Sequence, residues 1–171
     1  MTDSKGTYIE YDGRPAVRFE RNYPYSADRV WRAVTDPGEL AHWFPSPGVS
    51  YEQRVGSPIT LKGDPRIEQA NGKVLAWEPP RHFAFEWGDD ELHFTVDKTP
   101  TGARFELINV LSGSGAAARN AAGWDVCLAE LDKTVADQPG DGPNSATSLA
   151  WQPLYDGYVA AGLPAGAEVP H

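Results

Sequence analysis

The chain has 171 residues, 40% of them hydrophobic and 23% charged, with 6 Trp and 7 Tyr, the size and composition of one globular domain. A net charge of −9 with no cluster of Lys and Arg argues against nucleic acids and anionic membranes as partners, because both bind basic patches. Cys127 is the single cysteine, so no internal disulfide forms; with no apolar leader core and no run of about 18 apolar residues, the expectation is a soluble cytoplasmic protein without membrane insertion.

In chain order, residues 7–11 and 15–23 read as strands around Asp12-Gly13, a tight-turn dipeptide. In the second, Val17, Phe19, Arg21 and Tyr23 share one face and Arg18, Glu20 and Asn22 the other. Two short helices follow between Tyr25 and Pro47. Ser26 caps the first, Asp28 suits its opening turn and faces Arg32 four residues on, and Ala27, Val30, Trp31 and Val34 make one apolar stripe. Asp36 caps the second, Pro37 takes its first position and Glu39 fits a capping box. Leu40, Trp43 and Phe44 form the second stripe. Helices below about 12 residues are marginal alone in water, so the pair must lie on a larger apolar surface.

Residues 49–54 and 58–62 read as strands joined through Gly56-Ser57, Asn71-Gly72 as a turn, and residues 73–78 as a strand ending at Pro79-Pro80. Phe83, Phe85 and Trp87 then alternate with His82, Ala84 and Glu86. Beyond a turn at Gly88-Asp89-Asp90, Leu92, Phe94 and Val96 alternate with His93, Thr95 and Asp97, and beyond Thr101-Gly102, Phe105 and Leu107 alternate with Arg104 and Glu106. This is an antiparallel meander with one dry face, and Asp89, Asp90 and Glu91 read as a solvated hairpin tip. From residue 116 to 136 the period becomes helical, with Ala121, Trp124, Leu128, Leu131 and Val135 on one stripe of a helix about 30 Å long. Residues 138–144 read as a linker, 145–158 as a last short helix and 162–171 as a frayed end.

Three stretches, RFERNYPYSADRVWRAVTDPGELAHWF, WEPPRHFAFEW and GWDVCLAELDKTV, resemble the helix-grip superfamily of START, Bet v allergen-like and polyketide-cyclase proteins (SRPBCC). Within it they are most similar to the branch named after homologues of the activator of the heat-shock-protein-90 ATPase. The resemblance spans residues 7 to 136. It implies an α+β helix-grip fold: a curved antiparallel sheet, two short helices after the first strands, and a long C-terminal helix packed across the sheet. Residues 1–137 would form that single domain, with 138–171 as linker, short helix and tail. Relatives bind lipids, steroids or polyketides and some are cyclases, so the resemblance implies an apolar pocket without fixing one function. In the eukaryotic co-chaperone a separate N-terminal domain does much of the client-facing work, so this chain is not expected to stimulate a chaperone ATPase by itself.

The favoured function is binding of a small hydrophobic or aromatic molecule between the long helix and the sheet. The expected lining is Arg21, Trp43, Phe44, Phe85, Trp87, Phe94, Leu107, Asn109, Trp124 and Leu128, most of which also serve as core. Arg21 on a dry face needs a partner, either a carboxylate such as Glu39 or Glu52 or an anionic or carbonyl group of a ligand. Asn109, where relatives often carry His, orients the same ligand or satisfies local backbone. The alternatives are a cofactor-free cyclase or hydrolase using Arg21, His42 or Asn109, and, more weakly, a chaperone accessory. Catalytic residues and cofactors are assigned to none, and a homodimer stays open. His42, His82 and His93 lack metal-ligand spacing and read as surface residues, so no metal is expected. Cys127 reads as a small apolar filler. GSGAAA (residues 113–118) matches a dinucleotide fingerprint only loosely, without the parallel strand that motif needs.

Overall fold

The computed structural model describes residues 5–64, 70–138, 142–143 and 150–167. Strands β1 (Thr7–Tyr11) and β2 (Arg14–Tyr23) form a hairpin over Asp12 and Gly13, both at positive φ, 52° and 80°, as a two-residue turn of this hand requires. Helices α1 (Ala27–Thr35) and α2 (Pro37–Trp43) follow, each started by its expected cap: Ser26 accepts from the Arg29 N–H and Asp36 from that of Glu39. Glu39 does not complete a capping box by reaching back. Its carboxylate takes Arg29 Nη1 at 2.9 Å and Arg32 Nε at 2.8 Å, so Arg32 bonds to Glu39 rather than meeting the Asp28 expected opposite it.

Strands β3 (Gly48–Tyr51), β4 (Pro58–Lys62), β5 (Ala70–Glu78), β6 (His82–Trp87), β7 (Asp90–Thr99) and β8 (Gly102–Val110) complete one antiparallel sheet in the order β1-β2-β8-β7-β6-β5-β4-β3. Asn71 and Gly72, expected to turn the chain, instead lie inside β5, opposite Thr60 and Ile59. Gly72 is there for close approach, since a Cβ would stand 2.5 Å from the carbonyl oxygen of Glu86.

After a 3-10 turn at Ser114–Ala116, helix α3 (Ala117–Val135) crosses the sheet. Its stripe Ala121, Trp124, Leu128, Leu131 and Val135 is buried throughout. Arg29 joins the helix pair to its far end, bonding the Thr134 carbonyl at 2.6 Å and Asp137 at 3.0 Å, a cation where the helix dipole is negative. Helix α4 (Trp151–Ala160) packs on α3 through Tyr158, which is 3% exposed. Residues 145–149, part of the expected last helix, lie outside the described residues.

The expectation of a frayed end is corrected as far as residue 167. Ala118 N–H donates to the Pro164 carbonyl at 3.0 Å and Ala167 N–H to that of Gly115 at 3.2 Å. The start of α3 has no side-chain cap, and the returning segment supplies an acceptor for one of its exposed N–H groups. No described helix is long and apolar enough to cross a membrane.

Candidate functional site

The concave face of the sheet gathers the inward residues of β2, β6, β7 and β8 under α2 and α3. Trp43, Phe44, Phe85, Phe94, Leu107, Asn109, Trp124 and Leu128 are all buried, and Trp87 is half-buried at the edge. With Arg21, buried in phase with Phe19 and opposite Phe105, the structure brings all ten expected lining residues to one face. Their rings fill it. Phe44, which ends α2, lies 5.8 Å from Trp43, 6.0 Å from Phe85, 5.9 Å from Trp87 and 5.8 Å from Trp124, centroid to centroid. Trp43 meets Phe94 at 5.7 Å. Most of these pairs are tilted or edge-on, the arrangement that ring quadrupoles favour. The extended backbone of Phe44 and the prolines Pro45 and Pro47 stop α2 there, and this places the phenyl ring at the centre of the cluster.

Indole N–H groups sort these tryptophans. Trp43 Nε1 donates to the Ala33 carbonyl at 2.9 Å, a structural bond that fixes the helix pair. Trp124 Nε1 donates to Asn109 Oδ1 at 3.1 Å, and Asn120 Nδ2 reaches the same oxygen at 3.0 Å. Asn109 Nδ2 in turn donates to Asp90 Oδ2 at 3.0 Å, while Asp90 Oδ1 accepts the Ser112 N–H at 2.9 Å. Asp90 is thus no solvated hairpin tip; it anchors a network that sets the Trp124 ring. Trp87 stands 5.3 Å from Trp124, and its buried Nε1 has no partner among the described residues.

Arg21 shares this face but sits farther along β2. It is opposite Phe105, whereas Asn109 is opposite Val17, four residues or about 13 Å farther along the strands. Its carboxylate partner is Asp125 of α3, at 3.5 Å, rather than Glu39 or Glu52; Glu52 pairs with Arg54. Asp125 also accepts from the Tyr158 hydroxyl, which itself accepts the Gly6 N–H at 2.9 Å. Burial pushes the Asp125 carboxyl above its ordinary range, against the opposing pull of Tyr158 and Arg21. Burial first, and then the Asp125 carboxylate, raise the Tyr158 phenol. This cluster ties α4 and the N-terminal segment to α3.

Sequence reasoning missed Asp90, Asn120, Asp125 and Tyr158. The signal for the first two is Asn109 itself, because an amide in phase with Phe105 and Leu107 must find side-chain partners. His42 is exposed on α2. His82 and His93 lie on the outer face as expected, yet they touch each other, ring nitrogen to ring nitrogen at 3.3 Å.

A family model described as activator of Hsp90 ATPase homolog 1-like protein matches residues 24–136. CalU16 from Micromonospora echinospora superposes in its solution structure with a TM-score of 0.75 at 22% identity, over 94% of this chain and 92% of that chain. Its crystal structure gives 0.72 at 20% identity, over 94% and 96%. EF2215 from Enterococcus faecalis, a conserved protein of unknown function, gives 0.71 at 17% identity, over 92% and 90%. At such identities the likeness is one of fold. Among curated proteins the sequence has no match.

Proposed function

The chain belongs to the activator of Hsp90 ATPase homolog 1-like family, and from that premise we propose that it holds a small apolar or aromatic molecule between α3 and the concave face of the sheet. The observation that carries this reading is the edge formed by Phe44, Trp87 and Trp124, where the Trp87 indole N–H is buried without a partner among the described residues. A buried donor left unbonded costs about 1–3 kcal/mol, so a ligand that brings an acceptor to it gains affinity and orientation together. Phe44 occupies the centre of the cluster, and entry requires its ring to swing aside. A cyclase or hydrolase would need a titratable group turned into the aromatic cluster, whereas Arg21 faces Asp125. The working compartment proposed is the cytoplasm, where Cys127, a buried thiol outside any disulfide, stays reduced.

Native mass spectrometry of the protein from its own host, looking for a retained small molecule, is the direct test. A second arm compares naphthalene with 1-acetylnaphthalene by tryptophan fluorescence. The ketone should bind about fivefold more tightly, the worth of one hydrogen bond near 1 kcal/mol, and Trp87→Phe should erase that difference. Failure of both compounds to bind, together with the bare chain mass from the host, would overturn the proposal.

A further inference from the structure

On the face of the sheet turned away from α3, His82 and His93 come together although they are eleven residues apart. His82 is opposite Thr95, and His93 is opposite Ala84, so the two histidines are diagonal neighbours on β6 and β7. Ala84, directly opposite His93, is too small to hold the rings apart. His82 Nε2 and His93 Nδ1 are 3.3 Å apart, and the ring centroids are 5.6 Å apart with planes 18° from parallel. The centroid separation exceeds the nitrogen separation by 2.3 Å, the sum of the two ring radii. It reaches that value only when both nitrogens lie on the line between the ring centres. The rings are therefore nearly coplanar and meet edge to edge, each nitrogen aiming straight at the other.

Each outer nitrogen faces a carboxylate. His82 Nδ1 contacts Glu78 Oε1 at 2.9 Å, and His93 Nε2 contacts Glu91 Oε1 at 3.4 Å. Carboxylates only accept, so a neutral ring bonded to its carboxylate carries its proton on the outer nitrogen. Arg14 pairs with the other oxygen of Glu91 and holds that carboxylate in place. In the neutral rings, two lone pairs then point at each other, an arrangement that calls for a cation between them. The nearby guanidinium groups of Arg81 and Arg104 both engage Asp97, at 2.8 and 3.1 Å, and neither is hydrogen-bonded to a histidine ring.

We propose that His82 Nε2 and His93 Nδ1 form a linear two-coordinate site for monovalent copper, with Glu78 and Glu91 as the outer partners that orient the rings. Among the described residues no three His, Cys, Asp or Glu side chains converge to hold one ion, and a linear monovalent ion requires no third ligand. Two metal–nitrogen bonds of about 2 Å laid end to end exceed the present separation by a fraction of an ångström, which small side-chain rotations supply. Carboxylates on the far nitrogens are the usual second shell of metal-bound histidine. This site is independent of the ligand proposed on the concave face.

The test is anaerobic titration of untagged protein with Cu⁺ against bicinchoninate, with X-ray absorption on the loaded sample. One equivalent should bind, with two nitrogen neighbours and the edge feature of two-coordinate Cu⁺. His82→Ala and His93→Ala should each weaken binding at least tenfold and Glu78→Gln about 10–100-fold. His42→Ala should leave it unchanged. Sulfur in the metal shell, or equal uptake by the His82→Ala/His93→Ala double variant, would refute the assignment. So would failure to take Cu⁺ from the competitor, in which case the pair shares only a proton.

Discussion

Phe44→Ala tests directly the placement of Phe44 as the plug of the aromatic cluster. Phe44 is fully buried and meets four aromatic rings within 6.0 Å. Truncating such a side chain costs about 3–5 kcal/mol, partly as lost transfer energy and partly as the cavity left behind. A domain stable by about 5–15 kcal/mol survives that loss. With a urea slope near 2 kcal/mol/M, a loss of ~4 kcal/mol lowers the midpoint by about 2 M. The new cavity is lined by Trp43, Phe85, Trp87 and Trp124, and apolar cavities of this kind stay dry and accept small aromatics. Toluene at ten times its dissociation constant should therefore restore about 1.4 kcal/mol, read as a midpoint recovered by roughly 0.7 M. The wild-type protein should respond less, because its apparent affinity is reduced by the fraction of molecules with Phe44 swung out. A loss below 1 kcal/mol, or a midpoint in Phe44→Ala that toluene does not move, would show that Phe44 is not the plug.

Three further outcomes are expected. Tyr158→Phe removes the hydroxyl shared by Gly6 and Asp125. It should cost about 1–3 kcal/mol and speed amide exchange in α4 ahead of α3, as hydrogen-exchange mass spectrometry would record. Gly72→Ala drives a methyl against the Glu86 carbonyl and should lower stability by about 1–3 kcal/mol in urea denaturation; a neutral result would mean that β5 and β6 part easily. The Asp97 carboxyl is held below its ordinary 3.8, chiefly by its hydrogen bond from Arg81 and further by Arg104. Its folded value lies below the unfolded one, so its stabilising effect is present above about pH 4 and fades as pH falls through the lowered value. Urea midpoints measured from about pH 5 down to about pH 2.5 should fall less steeply in Asp97→Asn.

Local chemistry made much of this fold readable in advance. Ser26 and Asp36 cap their helices from within the same few residues, and Phe83 to Leu107 alternate because one side of the meander is covered. The switch to a 3.6-residue period marks α3 for the same reason. What escaped the sequence depends on distant partners. Asn71-Gly72 has turn chemistry, but pairing with β4 and the press of Glu86 keep it extended. Arg21 announced its need for a carboxylate, yet nothing near it in sequence pointed to Asp125, and the closer acids Glu39 and Glu52 were committed to Arg29, Arg32 and Arg54. The segment 162–167 has no periodicity because its hydrogen bonds go to the start of α3 rather than to itself. On the candidate site, alternation identified which residues face inward. It could not tell how tightly their rings pack, nor that Asp90 would fix Trp124 through Asn109.

The Tyr158 clasp has a consequence for synthesis. During translation, Arg21 and Asp125 leave the ribosome well before the hydroxyl that completes their cluster, and the start of α3 emerges before Pro164, whose carbonyl accepts one of its N–H groups. A nascent chain that has already zipped β2 against β8 and laid α3 across the sheet therefore carries an unfinished polar patch at the middle of α3 and an uncapped start to the same helix. Both are closed by the same stretch of about seventeen residues as it clears the exit tunnel. A stop codon or proteolytic nick just ahead of Trp151 would remove both closures at once, leaving a nearly complete sheet with two exposed faults for cellular quality control to recognise.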